Sequence, residues 1–125
     1  MMPITLGRLI YSFFVHHLAA QKGLRPATIR SYRDTLRLFL TFVAAEARRP
    51  MTQLPLDDLT FERVLGFLRH LEMARHNQVP TRNQRLAALR TFFDYLGRCL
   101  PDRLHVCEQV AAIPTKRTPL PETAS

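Results

Sequence analysis

Thr81-Arg-Asn-Gln-Arg-Leu-Ala-Ala-Leu-Arg-Thr-Phe-Phe-Asp-Tyr-Leu96 carries the plainest structural signal in the chain. Leu86, Leu89, Phe93 and Leu96 recur in steps of three and four, so one stripe of an α-helix is apolar. Thr81 and Gln84 stand at capping-box spacing just after Pro80, which predicts a helix beginning at Thr81 and ending around Gly97. At about 100° per residue, Asn83, Ala87, Arg90 and Asp94 fall on one strip beside that stripe, with Gln84 and Thr91 next to them. Arg82 projects close to the apolar direction itself.

The same design recurs from Pro26 to Val43, where Ile29, Tyr32, Leu36, Phe39 and Val43 form the apolar stripe. Arg30, Arg33 and Arg37 project together away from it. Proline is tolerated in a first turn, so this helix is expected to open at Pro26 and to run to about Ala47, before Arg48-Arg49-Pro50. A shorter helix is expected from Leu6, with Leu9, Ile10, Phe13, Phe14 and Leu18 inward, His17 partly buried, and Lys22-Gly23 as the stop. A further one is expected after a Thr60 N-cap, with Phe61, Val64, Leu65, Leu68 and Leu71 inward, fading near Arg75-His76-Asn77. Asp102 to Ile113 suits one more short helix, and the three prolines from Pro114 onward predict an extended tail. These segments imply an all-α domain over residues 1–113 and a tail over 114–125.

A chain of 125 residues with 46% hydrophobic and 22% charged residues has the balance of one folded domain. Its formal charge of +8 is the departure from the ordinary and favours polyanionic partners. Apolar runs are broken well short of the roughly 20 residues of a spanning helix, and no cleavage site follows the first apolar segment. A cytoplasmic chain with no membrane partner is therefore expected. Cys99 and Cys107 are expected as free thiols. The histidines match no zinc spacing, and four scattered glycines supply no phosphate loop, so neither metal, cofactor nor small-molecule substrate is expected.

Arginine and amide side chains on a helix beside a small residue such as Ala87 suit the approach to a DNA groove, where they reach phosphates and base edges. The helix N-termini, with Thr28 and Thr81 nearby, add partial positive charge for phosphate. Against this stands the ordinary role of exposed arginine as a solvated or intrahelically paired group. Asp34 lies at helical spacing from Arg30, and Asp94 from Arg90.

Lys22-Gly-Leu-Arg-Pro-Ala-Thr-Ile-Arg-Ser-Tyr-Arg-Asp-Thr-Leu-Arg-Leu-Phe-Leu-Thr-Phe42 resembles the signature of the N-terminal core-binding domain of tyrosine recombinases, the phage-integrase and Xer-type family. Leu56-Asp-Asp-Leu-Thr-Phe-Glu-Arg-Val-Leu-Gly-Phe-Leu68 and the Thr81 to Leu96 segment resemble that domain's third and fourth helices, in the same order. The resemblance implies a four- to five-helix SAM-like orthogonal bundle forming half of a clamp around double-stranded DNA. It places Thr28, Arg30, Ser31, Asn83, Gln84, Ala87, Arg90 and Thr91 on the DNA-facing surface. Arg33, Arg37, Arg82 and Arg85 are secondary candidates for phosphate, and Thr81 is a hydroxyl donor or only a cap.

The family's chemistry, strand cleavage by a tyrosine, resides in a C-terminal domain whose residues do not occur in this sequence. Tyr11, Tyr32 and Tyr95 lack the companions of such a nucleophile. The expectation is a non-enzymatic DNA-binding domain that positions a separate catalytic domain for integration, recombination or transposition, as a domain piece or a truncated gene product. The segment from Ile113 to Pro121 resembles the interdomain linker. The rival expectation is a protein-interaction module, contacting other recombinase protomers or inhibiting an intact one, with Phe13, Phe14, His16 and His17 of the first helix as its surface.

Overall fold

The computed structural model describes residues 5–21, 23–76 and 78–117. Five α-helices follow one another in these residues: α1 Leu6–Ser12, α2 Pro26–Ala47, α3 Phe61–Met73, α4 Val79–Cys99 and α5 Leu104–Ala111. Among the described residues there is no strand, and the fold is an all-α bundle, as its stripes predict. Of the expected Lys22-Gly23 stop, Gly23 takes the left-handed conformation at φ 59°, while Lys22, Asn77 at the end of the third predicted helix, and the tail beyond Arg117 lie outside the described residues.

α1 is capped by Thr5, whose Oγ1 accepts from the Arg8 amide at 3.2 Å, and it passes directly into a π-helical stretch over Phe13–Gln21. That stretch changes which side chains share a face, since its hydrogen bonds span five residues rather than four. Phe13 and Leu18 are both fully buried, and His17 is drawn in beside them at 3% exposure, where its ring stacks on Phe13. His17 is thus almost fully buried rather than partly so, on the stripe where its spacing from Phe13 places it.

α2 begins at Pro26 and ends at Ala47, where Arg48 takes the left-handed conformation that closes many helices. Two 3₁₀ turns, Met51–Gln53 and Leu56–Asp58, lead to the Thr60 cap of α3. There the Asp58 carboxylate meets Arg63 at 3.1 Å and Arg49 at 3.7 Å. On α3, Val64, Leu68 and Leu71 are buried as expected, but Leu65 is 37% exposed and Phe67 takes the inward place. The Phe67 ring packs edge-on to Phe39 of α2 and tilts against Phe42.

α4 is the central element. Leu86, Leu89, Phe92, Phe93 and Leu96 are fully buried, with Phe93 against Phe39 of α2 and Phe92 against Phe13. Its start corrects the expected one: Gln78 is the N-cap and Pro80 lies inside the first turn, so Thr81 is a first-turn residue and no side chain caps the helix. A helix can begin before a first-turn proline, because the missing amide had no partner there. α5 packs on the C-terminal half of α4, and the Cys107 thiol donates to the Phe93 carbonyl beside Gly97.

Candidate nucleic-acid interface

The N-terminal halves of α2 and α4 meet side by side through polar groups. Gln84 Nε2 donates to Ser31 Oγ at 2.9 Å, and Arg85 donates to Thr35 Oγ1 at 2.9 Å and to the Ser31 carbonyl at 3.5 Å. Thr35, fully buried, donates in turn to the Ser31 carbonyl at 3.0 Å. Two of the predicted site residues, Ser31 and Gln84, are therefore in direct contact although 53 positions apart. Arg85 is committed to this junction between helices.

Around that junction, Arg30, Arg33, Arg37, Gln84 and Ala87 are exposed, while Thr28, Ser31, Thr81, Asn83, Arg90 and Thr91 are half-buried. Neither Arg30 nor Arg37 enters an ion pair among the described residues. Arg33 lies over the Phe14 ring, 5.7 Å from its centre. The Thr91 hydroxyl bonds back to the Ala87 carbonyl at 3.1 Å. Asp94 pairs with Arg98 at 3.1 Å, one turn on, rather than with Arg90.

Asn83 and Arg90 are arranged otherwise than an open strip predicts, and Arg82 lies beside them. Arg82 is only 7% exposed, in keeping with its place on the apolar stripe, and its Nε lies 3.0 Å from the Glu72 carboxylate of α3. It also donates to the Pro114 carbonyl at 3.3 Å. Asn83 Nδ2 donates to the Lys116 carbonyl at 2.7 Å, and its Oδ1 accepts from the Lys116 amide at 3.0 Å. Arg90 donates to the Ile113 carbonyl. Lys116 Nζ closes the arrangement on Glu72, at 2.7 and 2.8 Å from its two oxygens. The segment Ile113–Lys116 thus lies as a strap along α4, over the residues that the wheel leaves facing outward.

Glu72 was not among the candidates, yet it organises this end of the molecule. The hydrogen bond from Lys116, against the opposing effect of burial and with the charges of Lys116 and Arg82, holds its carboxyl below the usual carboxylate range. The sequence held one clue to it: an arginine on an apolar stripe requires a buried counter-charge. The strap is not legible, because Arg82, Asn83 and Arg90 meet it through backbone groups, which carry no sequence signal.

The tyrosines differ in environment. Tyr11 is 64% exposed, and Tyr32 packs half-buried against the core. Tyr95 shares a 2.5 Å hydrogen bond with Ser12, and burial raises its phenol above the ordinary value, the reverse of what activates a nucleophile. Both cysteines are free thiols, and burial raises that of Cys107. No helix among the described residues is long and apolar enough to cross a membrane.

Residues 12–98 match the family model described as phage integrase, N-terminal SAM-like domain. The chain belongs to this family. A protein named as an integrase/recombinase, y4rD of Sinorhizobium fredii, is 40% identical over 91% of this chain and 41% of its own length. A second such protein of that organism, y4rC, is 36% identical over 90% of the chain and 34% of its own. A tyrosine recombinase XerC of Roseiflexus sp. is 35% identical over 66% of the chain and 25% of its own. This SAM-like domain therefore spans less than half the length of these relatives and corresponds to the N-terminal region of a recombinase. No solved structure matches the chain significantly.

Proposed function

We propose that this domain grips duplex DNA for a tyrosine recombinase or integrase and positions a separate catalytic domain on it. The observation that carries this reading is the polar junction of α2 and α4, which puts Ser31 against Gln84. Thr28 and Arg30 flank one side of that contact, and Ala87 and Thr91 continue from the other. Arg30 and Arg37 supply charge not already spent within the described residues, and a net +8 supplies the long-range attraction. Phosphate contacts set register and most of the affinity, and amide and arginine groups of α4 add base preference. A half-clamp of this kind binds weakly, at about 10⁻⁶–10⁻⁴ M at physiological salt.

Titration of a labelled duplex over a salt series tests the proposal, beside the double variant Arg30→Glu, Arg37→Glu. The expected result is affinity that falls steeply with salt, with a slope shallower by roughly two in the variant, since each phosphate contact contributes about −0.9. Equal slopes would remove α2 from the interface, and no binding at low salt would remove the DNA reading.

A second reading, contact with other protomers, is favoured by the exposed apolar side chains of Tyr11 and Val15, beside exposed His16. The expected surface of Phe13 and His17 does not serve it, because both are buried.

A further inference from the structure

We infer that the strap Ile113–Lys116 is an internal competitor for the groove-reading face of α4, so that full engagement of a nucleic acid requires its release. The inference rests on the reading of α4 given above and adds to it a built-in masking contact.

The chemistry of Asn83 carries the argument. A side-chain amide reads an adenine edge by accepting from one group and donating to the neighbouring one. Asn83 does both to a single residue, accepting from the Lys116 amide at 3.0 Å and donating to the Lys116 carbonyl at 2.7 Å. The Lys116 backbone thus presents the same donor and acceptor pair as a base edge, and it occupies the same two atoms. Arg82 Nη1 supplies a further donor to that Asn83 oxygen at 3.3 Å, which leaves it no spare capacity. Arg90, the other group suited to a base, is engaged by the Ile113 carbonyl.

The strap is fastened at both ends by different means. Ile113 is buried in the core cluster, which anchors the start of the segment. Its far end is held by the Lys116 pair with Glu72, a carboxylate that Arg82 also contacts. An exposed pair of this sort is weak and screened by salt, so the far end is the part that yields. A phosphate arriving near Lys116 and Arg82 would compete with Glu72 for both cations, which couples release to polyanion binding.

Two measurements on the whole chain test this. The first needs no nucleic acid: amide hydrogen exchange followed by NMR is expected to show Lys116 protected, and Glu72→Gln is expected to lower that protection a few-fold. An unprotected Lys116 amide in the unaltered chain would overturn the strap.

The second compares Lys116→Pro with Lys116→Ala in titrations of a labelled duplex. Both variants lose the Lys116 charge, but only proline also removes the backbone N–H that Asn83 accepts. Neither alters α4 or the core. The expected result is binding about threefold tighter for Lys116→Pro, the order expected for loss of one modest fastening. Equal affinities would overturn masking. Protection of Lys116 with no binding by either variant would overturn both masking and the DNA reading, and would leave the strap as a purely structural contact.

Discussion

The two halves of α4 lie on one helix and one continuous stripe, yet they are held by opposite chemistry. Toward the C-terminus, Phe92, Phe93, Leu96 and Gly97 meet α1's π-helical extension, α2 and α5 with no charged group between them. Toward the N-terminus the stripe passes from Leu86 to Arg82, and the contacts become those of Arg82, Asn83 and Arg85 with Glu72, Lys116 and Thr35. The apolar half gains from burial in proportion to area and has no charge for salt to screen. The polar half gains little net energy from each contact, since each replaces a bond to water, but it is specific and can be exchanged for another ligand. On the proposal made here, one end of the helix is built to stay and the other to be traded.

The largest effect that would separate these halves is expected from Phe92→Ala. The ring is fully buried and packs edge-on against Phe13 and Phe93. Truncation removes its transfer energy and leaves a cavity, at a cost of about 3–5 kcal/mol. Urea unfolding followed by circular dichroism measures it. A loss below about 1 kcal/mol would mean that this half is not the stabilising one.

Gly97→Ala asks the same question by addition. A Cβ there would stand 2.5 Å from Cys107 Sγ and 3.3 Å from its Cβ, on the tight face between α4 and α5. Alanine favours a helix interior by about 1 kcal/mol over glycine, so an open site would gain stability. Overpacking costs about 1–3 kcal/mol and is expected to prevail, giving net destabilisation in the same unfolding assay. A stabilised Gly97→Ala protein would show instead that α5 gives way easily.

The apolar half was also the legible half. Leu86, Leu89, Phe93 and Leu96 announce their burial by spacing, as do Val64, Leu68 and Leu71 on α3, because an α-helix converts sequence period into a face. Legibility ended where that conversion changed. On α3 the aromatic contact of Phe67 with Phe39 prevails over the inward place assigned to Leu65. Of the candidate site, Ser31 and Gln84 were named separately and the fold brought them together. Asn83 and Arg90 were named as outward-facing, which their wheel positions support, but no period reveals a non-helical segment that crosses them. For Glu72, Arg82 on the apolar stripe signals only that a counter-charge is needed; which carboxylate supplies it depends in part on Lys116, 44 positions away, at the end of that segment.

The smallest expected effect concerns acid, and it distinguishes the halves without substitution. Glu72 titrates below the usual carboxylate range because its ionised form is held chiefly by the Lys116 hydrogen bond. A depressed folded-state pKa means that the ionised pairing is fully present above the unfolded carboxylate's pKa and is lost only as pH falls through the lower folded value. Lowering the pH from neutral is therefore expected to leave the strap in place through the ordinary carboxylate range and to loosen it below. The Asn83 side-chain amide, followed by NMR, reports this directly, because both its donor and its acceptor are bound to Lys116. Signals from Phe92 and Leu96 serve as the internal reference, since no carboxylate holds them. If Asn83 and the aromatic signals move together, acid is unfolding the bundle as a whole and the polar end has no independent release. If Asn83 moves first, the far end of the strap opens on an intact apolar half, which is the separation that a tradable ligand for α4 requires.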